Sequence, residues 1–98
     1  MWLSFQDVFK ALSDPTRRKI LDILKPGRLT AGEIVDQFDS AGSTISRHLS
    51  ILKQAGLVVD IKEGQFVYYE LNTSVLETAI QWLLNLEEGK EENNENNE

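Results

Sequence analysis

The chain has 98 residues, a length that fits one domain, and it contains no cysteine, which excludes disulfides, thiolate metal sites and cysteine nucleophiles. No apolar run approaches the roughly 18 residues needed to span a bilayer, and the first residues lack the apolar core of a secretory signal, so we expect a cytoplasmic protein. The net charge of −6 argues against a strongly basic nucleic-acid binder, although the distribution of that charge matters more than its sum.

Three short helices are predicted in the first part of the chain. The apolar spacing in SFQDVFKAL predicts an amphipathic helix over about 4–13. Asp14 and Pro15 suit the cap and the first position of a second helix, which a Pro-Gly pair ends. Thr30 and Glu33 have the spacing of a capping box, which predicts a third helix over TAGEIVDQF.

A fourth helix follows a short break, and the pattern then changes to strands. Gly56 is a typical glycine just past the end of a helix. The β-branched and aromatic residues around a Glu-Gly turn predict a hairpin with strands near 57–62 and 66–71. A last helix starts after Asn72 or Thr73, so the predicted order is α-α-α-α-β-β-α.

The chain ends in the run EEGKEENNENNE, residues 87–98. This run holds six of the 16 acidic residues and one of the 10 basic ones, so its charge is −5 and that of the remainder is −1. Such a polar segment has no apolar side chains to bury, so we expect a disordered acidic tail after a near-neutral domain over 1–86.

The polar side of the fourth helix consists of short hydroxyl side chains and one arginine. At about 100° per residue, most of its apolar residues fall on the opposite side, whereas Ile51 falls on the polar side. Ser and Thr both donate and accept hydrogen bonds, and Arg can bind guanine in a bidentate way. A short helix, a tight break, such a helix and then a hairpin is the layout of a winged helix-turn-helix. The alternative is a solvated helix that is rich in serine. The candidate DNA-contacting residues of this helix are Ser43, Thr44, Ser46, Arg47 and Ser50, and Lys62 and Gln65 flank the tip of the hairpin.

The last helix is apolar over too wide an arc for one packed side. Its apolar residues cover about 200°, whereas a single core-facing stripe needs roughly 100°. A second copy of the chain is the simplest additional partner, because two-fold homodimers are the commonest oligomers. The alternative is a wide core within a monomer. The predicted dimer interface, shared with the first helix, contains Trp2, Phe5, Phe9, Leu76, Ala79, Ile80, Trp82, Leu83 and Leu86.

Three motifs in order, ALSDPTRRKIL, ISRHLSILKQAGLV and GQFVYY, resemble the ArsR/SmtB family of bacterial winged-helix repressors. The resemblance covers about residues 5–86. Within that family the chain is most similar to a repressor that does not sense metals, and the similarity extends to LNTSVL at the start of the last helix.

The resemblance implies a homodimer formed by the first and last helices. This dimer is expected to repress transcription by binding an inverted-repeat operator, and to repress its own gene as well. It implies base contacts from the hydroxyls and the arginine of the fourth helix, phosphate contacts from Thr30 and Ala31, and wing contacts from Lys62 and Gln65. It implies no cofactor. It also implies release from DNA through sequestration by a membrane protein rather than through a small ligand.

The start of the fourth helix departs from the family pattern. Ala41 has no capping oxygen, and Gly42 weakens a first helical turn. Asp39, Ser40 or Ser43 are the alternative caps.

The family's metal ligands are also missing, since there is no cysteine and one histidine, so we expect no metal site. We interpret His48 as a packed, hydrogen-bonded residue, with a base contact as the alternative. Arg17 is expected to pair with Asp14 or Asp22, and Arg18 is a candidate phosphate ligand. A protein-binding winged helix stays open as a competing function, whereas no Ser-His-acid set or phosphate loop supports an enzyme.

Overall fold

Five helices and three strands follow one another in the computed structural model, which describes the backbone of residues 5–96 and the side chains of residues 5–88. The elements are α1 Phe5–Leu12, α2 Pro15–Ile23, β1 Leu29–Thr30, α3 Ala31–Val35, α4 Gly42–Gln54, β2 Val58–Glu63, β3 Phe66–Leu71 and α5 Thr73–Asn96. This order confirms the predicted winged helix-turn-helix, mainly helical with a β-wing.

The first two predicted caps are confirmed. The Asp14 carboxylate accepts a hydrogen bond from the backbone N–H of Thr16 at 2.9 Å. Thr30 and Glu33 form a complete capping box, because the Thr30 hydroxyl accepts from the Glu33 N–H at 3.1 Å and the Glu33 carboxylate accepts from the Thr30 N–H at 2.8 Å. Both bonds satisfy backbone donors that a helix start leaves free.

The start of α4 has no side-chain cap. Ala41 occupies the capping position without a side-chain hydrogen bond, so the expectation that Asp39, Ser40 or Ser43 caps this helix is wrong. The backbone closes the turn alone, since the Ala41 carbonyl accepts from the N–H groups of Thr44 and Ile45 at 3.0 and 3.2 Å. Free N–H groups therefore remain at the exposed start of this helix.

The helix α4 ends just before the glycine predicted from the sequence, Gly56. Gly56 has φ +79° and donates to the Lys53 carbonyl at 2.9 Å, and Leu57 donates to the Leu52 carbonyl at 3.0 Å. This pair of bonds is a Schellman motif, in which a left-handed residue turns the chain out of the helix. The turn sends the chain directly into β2.

The sheet has three strands rather than the predicted two. β1 pairs antiparallel with β3 through Leu29 opposite Tyr69 and Thr30 opposite Tyr68, which gives the strand order β1-β3-β2. A two-residue strand shows no alternation in sequence, so only its pairing reveals it. The turn of the β2–β3 hairpin has positive φ at Gly64 alone, the pattern of a type II′ turn.

One apolar core joins the helices to the inner side of the sheet. Its fully buried large side chains come from four helices and the start of the wing, namely Val8, Ile20, Leu24, Ile34, Ile45, Leu52, Leu57 and Val58. Ala79 joins this core from α5. The predicted boundary between domain and tail, at residue 87, lies within α5 and stays a prediction. Within the part of the chain that the structure describes, every helix is too short or too polar to span a bilayer.

Candidate nucleic-acid interface

The two sides of α4 have opposite surroundings. Ile45, Leu49 and Leu52 are buried in the core, with at most 2% of their surface exposed. The five predicted contact residues, Ser43, Thr44, Ser46, Arg47 and Ser50, are all exposed. None of these five side chains has a hydrogen bond or an ion pair with the described part of the chain. Their donors and acceptors are therefore open to an external partner.

The inner side of α4 is connected to α1 through a buried arginine. Arg17, only 9% exposed, donates from Nε to the Ala11 carbonyl at 2.9 Å and from Nη2 to the Lys10 carbonyl at 3.1 Å. Its Nη1 lies 3.2 Å from Nδ1 of His48. Because arginine can only donate, Nδ1 is the acceptor and the imidazole proton lies on Nε2.

These contacts decide two interpretations made from the sequence. The interpretation of His48 as packed and hydrogen-bonded is confirmed, since it is half-buried and bonded to Arg17. The predicted pairing of Arg17 with Asp14 is confirmed at 3.9 Å, although the shorter bonds of Arg17 go to the Lys10 and Ala11 carbonyls of α1. The candidate phosphate ligand Arg18 donates to the Leu12 carbonyl at 2.8 Å.

The predicted phosphate contacts lie at the start of α3, which packs against α4. Thr30 and Ala31 are half-buried there. The capping box uses the Thr30 N–H and one lone pair of the Thr30 hydroxyl, so the hydroxyl proton remains for an external acceptor. Glu33 brings a negative charge to the same turn, which weakens the attraction of this helix start for an anion.

The wing places its two predicted contacts at the hairpin tip. Lys62 and Gln65 are exposed, and neither has a side-chain hydrogen bond or an ion pair within the described residues. The adjacent acid, Glu63, is bound by Arg28 through two hydrogen bonds of 2.6 and 3.1 Å, which hold the pKa of the Glu63 carboxyl below its usual range. No local sequence pattern marks Arg28, because its partner is 35 positions away along the chain.

A second ion pair connects the wing to α4. Lys53 Nζ lies 2.9 Å from the Asp60 carboxylate and lowers the pKa of that group through the hydrogen bond. Asp60 lies on β2 and Lys53 on the last turn of α4. The wing is therefore held on one side by α4 and on the other by the segment before β1.

A separate surface on α1 and α5 is aromatic and aliphatic. The ring of Trp82 lies 5.4 Å from that of Phe5 and 6.0 Å from that of Phe9, measured between centroids. Among the predicted interface residues, those with large exposed side chains are Phe9, Ile80, Trp82, Leu83 and Leu86, and Leu84 is exposed as well. Leu76 packs against the core, Ala79 is buried in it, and Trp2 lies outside the described residues.

The acidic side chains and the one histidine of the described residues are the candidates for a metal site. No group of three or more His, Cys, Asp or Glu side chains there could hold a metal ion. His48, the one histidine of the chain, is committed to Arg17.

Similar proteins are found at the levels of domain, sequence and structure. A family model described as a helix-turn-helix domain matches residues 12–61. The transcriptional repressor SdpR of Bacillus subtilis is 58% identical over 79 residues, which are 81% of this chain and 88% of that protein. An arsenic resistance transcriptional regulator of Pseudomonas putida is 45% identical over 67 residues, 67% of this chain and 58% of that protein. Among solved structures, an ArsR-like transcriptional regulator from Rhodococcus superposes with a TM-score of 0.82 at 28% identity, covering 89% of this chain and 82% of that one.

Proposed function

The chain belongs to the ArsR family of helix-turn-helix transcriptional regulators, as its motifs predict, and from that premise we propose that it is a dimeric repressor of an inverted-repeat operator. The family consists of regulators rather than enzymes. The observation that carries the proposal is the exposed side of α4, where five polar side chains have no partner in the described part of the chain.

The chemistry of that side fits the major groove. Short hydroxyl side chains allow the helix backbone to come close to base edges, and each can donate or accept a hydrogen bond. Arg47 is the one long cation among them and can bind guanine O6 and N7 together. The uncapped N–H groups at the start of α4 favour a nearby phosphate. We assign base contacts to Ser43, Thr44, Ser46, Arg47 and Ser50.

The wing and the start of α3 flank this helix. Lys62 and Gln65 are assigned to DNA outside the major groove, and Thr30 and Ala31 to the phosphate backbone. Glu33 and the occupied capping box make the α3 contact the weaker of the two.

The dimer brings two such surfaces to one operator. The exposed apolar side chains of α5, with Phe9 of α1, support an interface between two copies of this chain. In a two-fold dimer, recognition helices about 34 Å apart would meet successive major grooves on one side of the duplex. A palindromic operator follows from that symmetry.

The event that releases the repressor is proposed to be protein capture rather than metal binding. The missing metal cluster in the described residues and the single, occupied histidine support a regulator without a metal site or cofactor. Sequestration by a membrane protein is the mechanism that we propose instead, for a repressor that works on chromosomal DNA in the cytoplasm.

The proposal is tested by mobility shift with DNA from upstream of the chain's own gene. We expect sequence-selective binding. The logarithm of the association constant should fall linearly with the logarithm of the salt concentration, because phosphate contacts release counterions. The matched control is the same fragment with one half-site scrambled, which should bind far more weakly. If the chain captures a protein partner but shows no selective binding at low salt, it is a protein-binding winged helix instead.

A further inference from the structure

The wing tip carries an acid between its two proposed DNA contacts. Glu63 ends β2, lies opposite Phe66 across the hairpin and has 53% of its side-chain surface exposed. Lys62 precedes it, and Gln65 lies in the turn that follows. A free carboxylate at this position would repel the phosphates of a bound operator. The partner of Glu63 therefore matters for any DNA contact by the wing.

Arg28 binds this acid through both arms of its guanidinium group. Nη1 donates to Oε2 of Glu63 at 2.6 Å, and Nη2 donates to Oε1 at 3.1 Å. The hydrogen bond raises the pKa of Arg28 and lowers that of Glu63, so both groups stay charged. The guanidinium carbon also lies 4.1 Å from the centroid of the Tyr68 ring, within cation–π distance.

The strand register places this cluster on the outer side of the sheet. Residues directly opposite each other share a side, and the sides alternate along each strand. Glu63 and Tyr68 fall on one side, whereas Val58 and Asp60 fall on the other, where Val58 is buried. Arg28 contacts both outer residues. The ion pair of Asp60 with α4 holds the opposite side of the same hairpin.

The position of Arg28 in the chain gives the cluster its geometric effect. Arg28 immediately precedes β1 and lies two residues before Thr30, the cap of α3. Its bonds to Glu63 span 35 positions and connect the start of the helix-turn-helix with the wing tip. A surface ion pair of this kind adds little to folding stability. Its main consequence is to fix two parts of the proposed DNA surface relative to each other.

We propose, on the basis of the operator binding proposed above, that Arg28 is a positioning residue of the DNA interface. It fixes the wing tip against the segment that leads into α3. It also neutralises Glu63, so that the tip can approach DNA with Gln65 in its turn and Lys62 on the other side of the hairpin. This role requires the bidentate bond and the stacking on Tyr68, so lysine should replace arginine only in part.

The test is a double-variant cycle on operator affinity with the full chain. Arg28→Ala leaves Glu63 unpaired and should weaken operator binding about three- to tenfold. In a chain that already carries Glu63→Gln, the same change should cost at most about twofold, because the pair is already broken. Arg28→Lys should fall between wild type and Arg28→Ala. Equal losses in both backgrounds would show that Arg28 contacts phosphate directly and would overturn the positioning role.

Lys25→Ala is the matched control. Lys25 is exposed, lies three residues before Arg28 and has no ion pair among the described residues, so its removal lowers the charge equally without touching the wing. We expect a change of less than about twofold. A loss equal to that of Arg28→Ala would mean that net charge alone explains the effect, which would also overturn the proposal.

A measurement on the free protein separates this proposal from operator binding itself. Backbone amides near the tips of β2 and β3 should exchange with solvent faster in Arg28→Ala than in wild type or Lys25→Ala. If wild type binds no operator, the proposed function fails, and the exchange rates still decide whether Arg28 fixes the wing. Unchanged exchange in Arg28→Ala would overturn the positioning role whatever the DNA result.

Discussion

The exposed side of α4 and the exposed side of α5 both present side chains to solvent in the described part of the chain, but the chemistry of these side chains differs. On α4 the side chains are hydroxyls and one guanidinium, which water satisfies. On α5 they include Trp82, Leu83 and Leu86, with 41%, 49% and 58% of their surface exposed. Monomeric proteins rarely expose large contiguous apolar patches. The first surface therefore suits a reversible partner, and the second a permanent one.

This difference separates the two surfaces by what they should respond to. Contacts to phosphates and base edges depend on salt, because they displace counterions. The free energy gained by burying apolar side chains depends little on salt and increases with the apolar area that is covered. Operator affinity should therefore fall with salt while the dimer persists. Substitutions on the two helices should separate in the same way.

Leu83→Asp is expected to have the largest effect, because it places a charge in the apolar surface of α5. An unpaired charge buried by dimerisation should cost about 3–5 kcal/mol, which raises the monomer–dimer dissociation constant more than about hundredfold. Operator affinity should collapse as well, since a monomer can hold only one half-site. Sedimentation equilibrium measures the first effect, and mobility shift the second.

Gln81→Glu is the control for this change, two residues earlier on the same helix. Gln81 is exposed and hydrogen-bonds Asn85 at 3.1 Å, on the polar side of α5. The added charge there should leave the dimer intact. If Leu83→Asp remains dimeric at the protein concentration at which the wild type is dimeric, the assignment of this surface is contradicted.

Arg47→Ala should produce a smaller and more selective effect on the other surface. Loss of a bidentate guanine contact should cost about 1–3 kcal/mol of operator affinity and relax the preference at one base position. Folding stability should change by less than about 0.5 kcal/mol, because Arg47 is exposed and has no partner in the described chain. Competition between operator variants that differ at each position measures the relaxed preference.

Gln54→Ala provides the comparison for Arg47, since Gln54 is exposed at the far end of α4. It should leave base preference unchanged. Wild-type binding by Arg47→Ala would place base reading elsewhere on the helix, on the serine and threonine hydroxyls alone.

The sequence predicts the local features of the helices well, because helix periodicity and most helix ends are set by short-range patterns. The Thr30–Glu33 capping box and the Gly56 stop are both present as expected. What it missed depends on distant pairing. The strand β1 exists only because Leu29 and Thr30 meet β3, and the bond from Arg28 to Glu63 joins residues 35 positions apart. No local pattern marks either feature.

The cap of α4 was missed for a different reason. Three capping residues, Asp39, Ser40 and Ser43, surround the helix start, yet the backbone places Ala41 in the capping position. Composition identifies the residues that can cap, whereas the path of the turn from α3 decides which of them is in place. The result leaves the start of the proposed recognition helix with unused N–H groups.

His48 gives the last test, with the smallest expected effect. It lies beside Arg47 in sequence but on the opposite side of α4, so it should affect folding rather than base preference. His48→Leu removes the acceptor for Arg17 Nη1, and Arg17 stays bonded to the Lys10 and Ala11 carbonyls. The free energy of unfolding should fall by about 1–2 kcal/mol, measured by urea denaturation. Base preference should stay unchanged.

His48→Gln distinguishes the hydrogen bond from simple packing, since its amide oxygen can still accept from Arg17. We expect it to recover part of the lost stability. If His48→Leu instead kept full stability and altered preference at one base position, His48 would be a reading residue and the inner side of α4 would reach DNA. If the expected results hold, Arg47 contributes to base specificity and His48 contributes to folding stability, although the two residues are neighbours on one helix.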